Sequence, residues 1–188
     1  AHPGGAAICG AMLWYPDETI QHAGIVTGLG GYAGHSHKYK KKGGSGYLFR
    51  TSTVQDFSGV TGACLLVKTA VYDEMHGLDE QFAVAFNDVD FCLRVRDAGY
   101  RIAWTPYAEL IHYESKSRGG DEKDPVKAAR FAAEQQRLYT IHGKENILDD
   151  PYYNPNLTRD REDFSESDDL RRLKEGRVTV RFRGGTLQ

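Results

Sequence analysis

The chain has 188 residues, of which 40% are hydrophobic and 27% charged, and its formal net charge is −2. This length and composition suffice for one soluble globular domain with a sizeable core, and the charge gives no overall attraction to nucleic acid or to an anionic membrane. No apolar run approaches membrane-spanning length. The three cysteines lie in apolar patterns without metal-binding spacing, which predicts buried thiols of a reducing cytoplasm (Cys9, Cys64 and Cys92).

The first part of the chain predicts two short strands, at 6–15 and 25–29, joined by a turn at 16–19. A glycine-rich segment at 28–46 follows and is predicted to be a long loop that carries four lysines (Lys38, Lys40, Lys41 and Lys42). A hydrated surface loop is the favoured interpretation, and a mobile acceptor loop that meets an anionic substrate is the alternative. His35 and His37 make a poor metal site, because such a loop lacks further ligands and supporting contacts.

The middle of the chain predicts a buried strand at 56–68, a short helix at 69–76 and then a longer helix that begins near Asn87 or Asp88. Asn87 is a suitable N-cap, and Gly99 stands where a left-handed residue ends a helix. Asp88 therefore lies in the first turn, where free backbone amides and the helix dipole favour an ionised carboxylate. Such a group suits a general base, although acidic residues also occur at helix starts for purely structural reasons.

Two short strands are predicted next, at 101–104 and 108–112, separated by a break at Thr105 and Pro106. His112 stands where the second strand enters a loop, so a neutral imidazole there can ligate a divalent metal or form a hydrogen bond in a packed corner. Ser115, Lys116, Ser117 and Arg118 follow and supply hydroxyl and cationic groups for phosphate. Trp104 is either a ring on which a ligand stacks or a core residue.

The last part of the chain is highly charged. An amphipathic helix is predicted at 126–142, capped by Asp124 and Pro125, followed by an aromatic loop at 149–157 and an exposed strand at 178–182. We predict two parts, a domain at 1–145 and a polar, peripheral C-terminal extension at 146–188.

From Gly59 to Gly119 the order of these motifs, GVTGACLLV followed by FNDVDFCLRVRDAGYRIAW and ELIHYESKSRG, resembles the second half of bacterial family 2 glycosyltransferases. The resemblance extends from about Gly10 to at least Leu157. It implies an α/β fold: a partial GT-A (nucleotide-diphospho-sugar transferase-like) fold, with a mixed sheet and flanking helices. The N-terminal nucleotide-binding half of that fold is missing, so 1–145 would be the acceptor-side half of the domain.

The resemblance also implies roles for single residues. Asp88 matches the second member of an acidic pair that serves as the catalytic base, while Asn87 replaces the usual glutamate and is expected to lie beside the substrate. His112 matches a histidine that helps an upstream Asp-x-Asp motif, absent here, to hold manganese or magnesium.

Gly62 and Ala63 match positions under the donor sugar and acceptor, where small residues leave room, although they equally allow a helix to pack on the sheet. Ser115, Arg118 and Trp104 are the other expected substrate-binding residues.

The function implied is that of a fragment of an inverting glycosyltransferase, with a nucleotide-sugar donor and a glycan or lipid-linked acceptor. The fragment alone is expected to be inactive. A cytoplasmic location is expected. It is compatible with a position at the inner face of the membrane, with peripheral membrane association of the whole protein and with a homo-oligomer. A non-catalytic glycan-binding or structural module and a histidine-dependent metallohydrolase remain the alternatives.

Overall fold

The computed structural model of the chain describes residues 5–113, 124–168, 180–182 and 185–187. The predicted substrate residues Ser115 and Arg118 lie outside these ranges. The described elements, in chain order, are β1 (Ala6–Trp14), β2 (Ile20–His22), β3 (Ile25–Thr27), β4 (Ala33–His35), β5 (Gln55–Asp56), β6 (Leu65–Val67), α1 (Thr69–Glu74), α2 (Asn87–Asp97), β7 (Arg101–Ile111), α3 (Pro125–His142), α4 (Lys144–Leu148), β8 (Val180–Phe182) and β9 (Gly185–Leu187).

The main sheet is built around β1, which is parallel to β7 on one side and antiparallel to β2 and β6 on the other. β5 continues the sheet beyond β7. A strand with neighbours on both sides has little contact with water, and accordingly β1 is almost wholly apolar and mostly buried. The predicted mixed sheet with flanking helices is confirmed.

β7 is one strand rather than the two predicted around Thr105 and Pro106. The break appears instead as a bulge: Ala11 aligns with Thr105, but the next residue, Met12, aligns with Glu109. Proline has no amide hydrogen to donate to the ladder. It is tolerated at a bulge, because the ladder of hydrogen bonds is interrupted there. β1 and β7 then end together, because the backbone amide of His112 donates to the carbonyl of Trp14 at 2.9 Å.

Helix α2 forms where the apolar stripe predicted it. Phe91, Cys92 and Val95 pack in the core cluster that contains the sheet residues, whereas Val89 and Leu93 pack in a second cluster with Leu138 of α3 and Ile147 of α4. Burial raises the pKa of the Cys92 thiol to about 12, whereas Cys9 and Cys64 are only half-buried. The predicted N-cap is wrong by one residue. Phe86, with a left-handed φ of 64°, precedes the helix, and Asn87 is its first residue.

Trp104 lies in the core. Its side chain is 0% exposed, its Nε1 donates to the carbonyl of Ala11 at 3.0 Å, and its ring meets Phe57 edge to face. The prediction that Trp104 stacks on an acceptor sugar is wrong, because no face of the indole reaches the surface.

The segment at 28–46 is not the flexible loop that its glycines predicted. β4 lies inside it and pairs with β3. His37 is 2% exposed and stacks on Phe164 with ring centroids 4.1 Å apart. The segment is therefore tied to the core through its histidines.

The prediction that 146–188 is peripheral is wrong for its described part up to residue 168. Ile147, Tyr153, Leu157 and Phe164 are buried members of the hydrophobic cores. The carboxylate of Asp150, 1% exposed, accepts a hydrogen bond of 2.7 Å from the backbone amide of Thr27. These contacts join the two predicted parts of the chain. Among the described residues, no helix combines the length and the apolar character needed to cross a bilayer.

Candidate active site

Asp88 lies in the first turn of α2, half-buried, with both carboxylate oxygens oriented by backbone amides. Its Oδ2 accepts from the amide of Gly62 at 2.8 Å and its Oδ1 from the amide of Val89 at 2.9 Å. The side chain of Asn87 accepts in turn from the amide of Asp88 at 2.8 Å. Each carboxylate oxygen keeps a further lone pair, so Asp88 is held in one orientation and can still accept a proton.

Gly62 and Ala63 lie in a 3-10 turn, Gly62–Cys64, rather than in the strand predicted for them. Thr61 caps the turn, because its hydroxyl accepts from the amide of Ala63 at 3.3 Å. Both small residues are exposed. A Cβ built on Gly62 would lie 3.5 Å from the Cβ of Asp88, so the missing side chain leaves open space directly beside the carboxylate.

His22, at the end of β2, is a site residue that the sequence reasoning missed. It is 0% exposed, and its Nε2 accepts from the amides of Gly24 at 3.3 Å and Thr61 at 3.4 Å. These bonds assign the ring proton to Nδ1, which lies 2.9 Å from Nδ1 of His35 and donates to it. The amide of Thr61 thus bonds to His22 and the next amide to Asp88, so the imidazole supports the turn that orients the carboxylate.

His22 also connects this turn to His112. Complete burial holds the pKa of His22 well below its usual value, and the neighbouring imidazoles of His35 and His112 lower it further. His22 is therefore neutral at physiological pH. His112 interacts electrostatically with this buried ring, and the turn at Thr61 and Gly62 connects the ring to Asp88. The ring lies where β1 ends, because His22 pairs with Leu13, and His112 directly follows β7. Open α/β sheets bind their ligands at such carboxyl ends.

His112 has a ring nitrogen suited to a ligand. Its Nδ1 is buried and has no hydrogen-bond partner among the described residues. A buried nitrogen of this kind fits one position in a divalent-metal site. Within the described ranges, however, there is no group of three His, Cys, Asp or Glu side chains able to hold a metal ion. His112 therefore fits as one ligand of an incomplete set.

The second acidic residue of the motif, Asp90, has a different role. It is 1% exposed, its Oδ2 accepts from Nε of Arg94 at 2.9 Å, and its Oδ1 lies 2.9 Å from Nε2 of His142 on α3. Arg94 also donates to the carbonyls of Met75 and Gly77. Asp90 thus joins α2 to α3 and to the end of α1, and Asp88 is the carboxylate of the first turn that lies beside the open position of Gly62.

Comparison with known proteins gives three informative relatives. Uncharacterized protein y4gI of Sinorhizobium fredii is 48% identical over 85% of this chain and 18% of its own length. The O-antigen biosynthesis protein RfbC of Myxococcus xanthus is 35% identical over 79% of the chain and 11% of its own length. The N-acetylglucosaminyl-diphospho-decaprenol L-rhamnosyltransferase of Mycobacterium tuberculosis is 32% identical over 43% of the chain and 24% of its own length. No family model and no solved structure matches the chain.

One of these relatives is named as a rhamnosyltransferase and another as an O-antigen biosynthesis protein. The mixed α/β architecture fits a nucleotide-sugar transferase-like fold. The chain spans less than a quarter of the length of each relative, at 18%, 11% and 24%.

Proposed function

We propose that the chain is the acceptor-side part of an inverting glycosyltransferase with a GT-A fold, related to family 2. The enzyme would transfer a sugar from a nucleotide-diphospho-sugar to a hydroxyl group of a glycan or glycoconjugate. The observation that carries this proposal is the carboxylate of Asp88, fixed by two backbone amides beside the open position of Gly62. Relatives named for O-antigen biosynthesis and rhamnosyl transfer support the class of reaction.

In this proposal Asp88 is the general base. The acceptor hydroxyl attacks the anomeric carbon of the donor sugar while its proton moves to the carboxylate, and the bond from that carbon to the diphosphate oxygen breaks. A base of this type must be held within hydrogen-bond reach of the hydroxyl, which the amides of Gly62 and Val89 achieve by fixing the carboxylate. The exposed turn at Gly62 and Ala63 would leave room for the two sugars, and Asn87 would line the acceptor side.

His112 is proposed as one ligand of a divalent cation, manganese or magnesium. Its buried Nδ1 without a hydrogen-bond partner supports this role. When bound, such a cation neutralises the charge that develops on the leaving diphosphate. The further ligands and the donor site would belong to the longer protein, and Ser115 and Arg118 would contact the diphosphate. We therefore expect the 188-residue chain alone to have no transferase activity.

The test uses the full-length protein that contains this chain, with nucleotide-sugar turnover and incorporation of labelled sugar as readouts. Replacing a general base typically lowers the rate 10²- to 10⁴-fold, so Asp88→Asn should lower kcat by roughly that factor. Asp97→Asn is the matched control, because Asp97 is an exposed carboxylate at the other end of α2. A thermal melt of each variant separates lost chemistry from lost folding.

Full turnover in Asp88→Asn would remove Asp88 from the mechanism. Oligosaccharide binding that is unaffected by this substitution, in a full-length protein without turnover, would favour the glycan-binding module instead.

A further inference from the structure

The segment at 37–54 differs in charge from the rest of the molecule. It contains five cationic side chains and no acidic one, whereas the whole chain has a net charge of −2 (Lys38, Lys40, Lys41, Lys42 and Arg50). Two acidic groups lie near the lysines: Asp17 interacts with Lys41, and Glu109 forms an ion pair of 2.6 Å with Lys42. Arg50 is half-buried and interacts electrostatically with Asp150, so the basic part of this surface is the run of four lysines.

The same segment exposes large apolar side chains. Leu48 is 75% exposed, Phe49 66%, Tyr39 65% and Val54 55%. Single exposed apolar residues are common, but these four fall within one short basic segment, and a concentration of exposed apolar side chains is typical of interaction sites. We call the exposed side chains of 37–54 the basic apolar surface.

Three of these four residues have an unfavourable left-handed backbone conformation: Tyr39, with a φ of 65°, and the adjacent Leu48 and Phe49. Leu48 and Phe49 have φ values of 45° and 60°, a left-handed region that bulky residues rarely adopt. Their side chains contribute nothing to the core that would compensate for this strain. Strain that burial does not offset is characteristic of segments under functional constraint.

The basic apolar surface is nevertheless firmly supported from below. Nε2 of the buried His37 accepts from the amide of Tyr47 at 3.0 Å, and Thr51 bonds to the carbonyls of Gly44 and Ser45. The guanidinium of Arg50 lies 4.7 Å from the ring centroid of Phe57. The exposed side chains are thus presented by a rigid base, which lowers the entropy cost of docking.

We propose that the basic apolar surface docks onto an anionic lipid bilayer. The lysines would contact the headgroups, while Leu48 and Phe49 insert at the boundary between headgroups and acyl chains. Cationic side chains beside exposed apolar ones are the combination that binds such surfaces, because charge attracts the protein and apolar burial retains it.

Docking there would place the candidate active site close to the bilayer. The Lys42 ammonium lies 4.9 Å from the ring centroid of Trp14, whose carbonyl accepts from the amide of His112. The basic apolar surface therefore adjoins the end of β1 and β7. If the proposed function holds, this position suits an acceptor carried on a lipid; the docking itself does not depend on that function.

Vesicle co-sedimentation tests the proposal with the 188-residue chain. We expect binding to vesicles of phosphatidylcholine mixed with phosphatidylglycerol, much weaker binding to phosphatidylcholine alone, and loss of binding in high salt.

Lys40→Gln with Lys41→Gln should lower the partition coefficient by about tenfold or more, since each basic residue near an anionic surface contributes substantially. Leu48→Asn with Phe49→Asn should lower it as well. Asparagine tolerates a left-handed φ, so this variant should keep its fold.

Matched controls change the same chemistry elsewhere. Lys68→Gln with Lys144→Gln removes two exposed charges, and Leu66→Asn with Tyr107→Asn removes two side chains that are 74% and 79% exposed. Both controls should bind like the parent chain. Equal binding to neutral vesicles, no binding to anionic ones, or full binding by the Leu48 and Phe49 variant would each overturn the proposal. These outcomes concern vesicles only, so they leave the transfer reaction to its own test.

Discussion

Two carboxylates on α2, two residues apart, stand in opposite surroundings. Asp90 is 1% exposed and lies between Arg94 and His142, whereas Asp88 is half-buried and bonded to backbone amides beside an open turn. Both belong to the first turn of the helix, and the sequence pattern does not distinguish them. The comparison shows that the partners of a carboxylate, rather than its position in a motif, separate a structural role from a chemical one.

The same distinction separates three histidine side chains, His22 and His37 on one hand and His112 on the other. His22 and His37 are buried and use their ring nitrogens to bond backbone amides and neighbouring side chains. His112 has a buried nitrogen without a partner among the described residues. Among the described residues, Asp90, His22 and His37 are buried polar groups that bond to their neighbours, and we call them the interior region. In the candidate active site, by contrast, Asp88 and His112 retain unused bonding capacity.

The largest effect on stability should come from Asp90. Asp90→Ala removes one partner of a buried charged network, which typically costs 3–5 kcal/mol because the remaining charges stay buried. Asp97→Ala is the control, since its carboxylate is 61% exposed, and it should change the free energy of unfolding by less than about 0.5 kcal/mol. Urea unfolding of both variants measures the difference. Equal stability of the two would mean that the interior region has no special energetic role.

The second-largest effect on the free energy of unfolding should come from acid, through the buried histidines of the interior region. Burial lowers the pKa of His37 from 6.5 to about 4. Between these values the unfolded chain takes up a proton that the folded chain does not, so the contribution of His37 is complete above pH 6.5 and is lost as the pH falls toward 4, by about 3 kcal/mol. His22, whose pKa is also lowered, adds in the same direction.

Urea midpoints measured across this pH range test the sign. His37→Gln should flatten the profile, because the titrating group is gone while an amide oxygen can still accept from Tyr47. A profile that is equally steep in this variant would assign the acid sensitivity to other groups.

The smallest effect on stability should come from Gly62. In Gly62→Ala the new Cβ would meet Asp88 at ordinary contact distances, from 3.5 Å upward, so the free energy of unfolding should change by less than about 0.5 kcal/mol. Sugar transfer by the full-length protein should fall, because the methyl group occupies the space beside the base. Unchanged transfer at unchanged stability would show that this space does not serve a ligand.

Local pattern was sufficient to predict the main elements. β1 and α2 were correctly anticipated because a continuous apolar run and an apolar stripe at helical spacing are properties of neighbouring residues. The same local pattern indicated Asp88 as a carboxylate in a first turn, but Asp90 shares that turn, so the pattern alone could not choose between them. The place of Asp88 in the candidate active site follows from short-range pattern combined with resemblance to a family.

The remaining features depend on contacts between distant residues. His22 matters because strand pairing brings it to the amide of Thr61, which lies 39 residues away in sequence. Trp104 is a core residue because its ring meets Phe57 edge to face and its Nε1 donates to the carbonyl of Ala11, both of which are distant in sequence. The aromatic loop near Tyr153 looked peripheral because its polar neighbours masked the few rings that enter the core. No local pattern reports such distant pairings.

The bulge in β7 determines which way His112 faces. Side chains alternate along a strand, so shifting the register by one residue would turn every later side chain to the opposite face. Deleting one residue at Pro106 would leave the composition of β7 almost unchanged, yet if the later part of the strand moved by one residue against β1, the imidazole would turn to the opposite face. An insertion or deletion in this short stretch therefore preserves the direction of the histidine only when the bulge absorbs it and Met12 still aligns with Glu109.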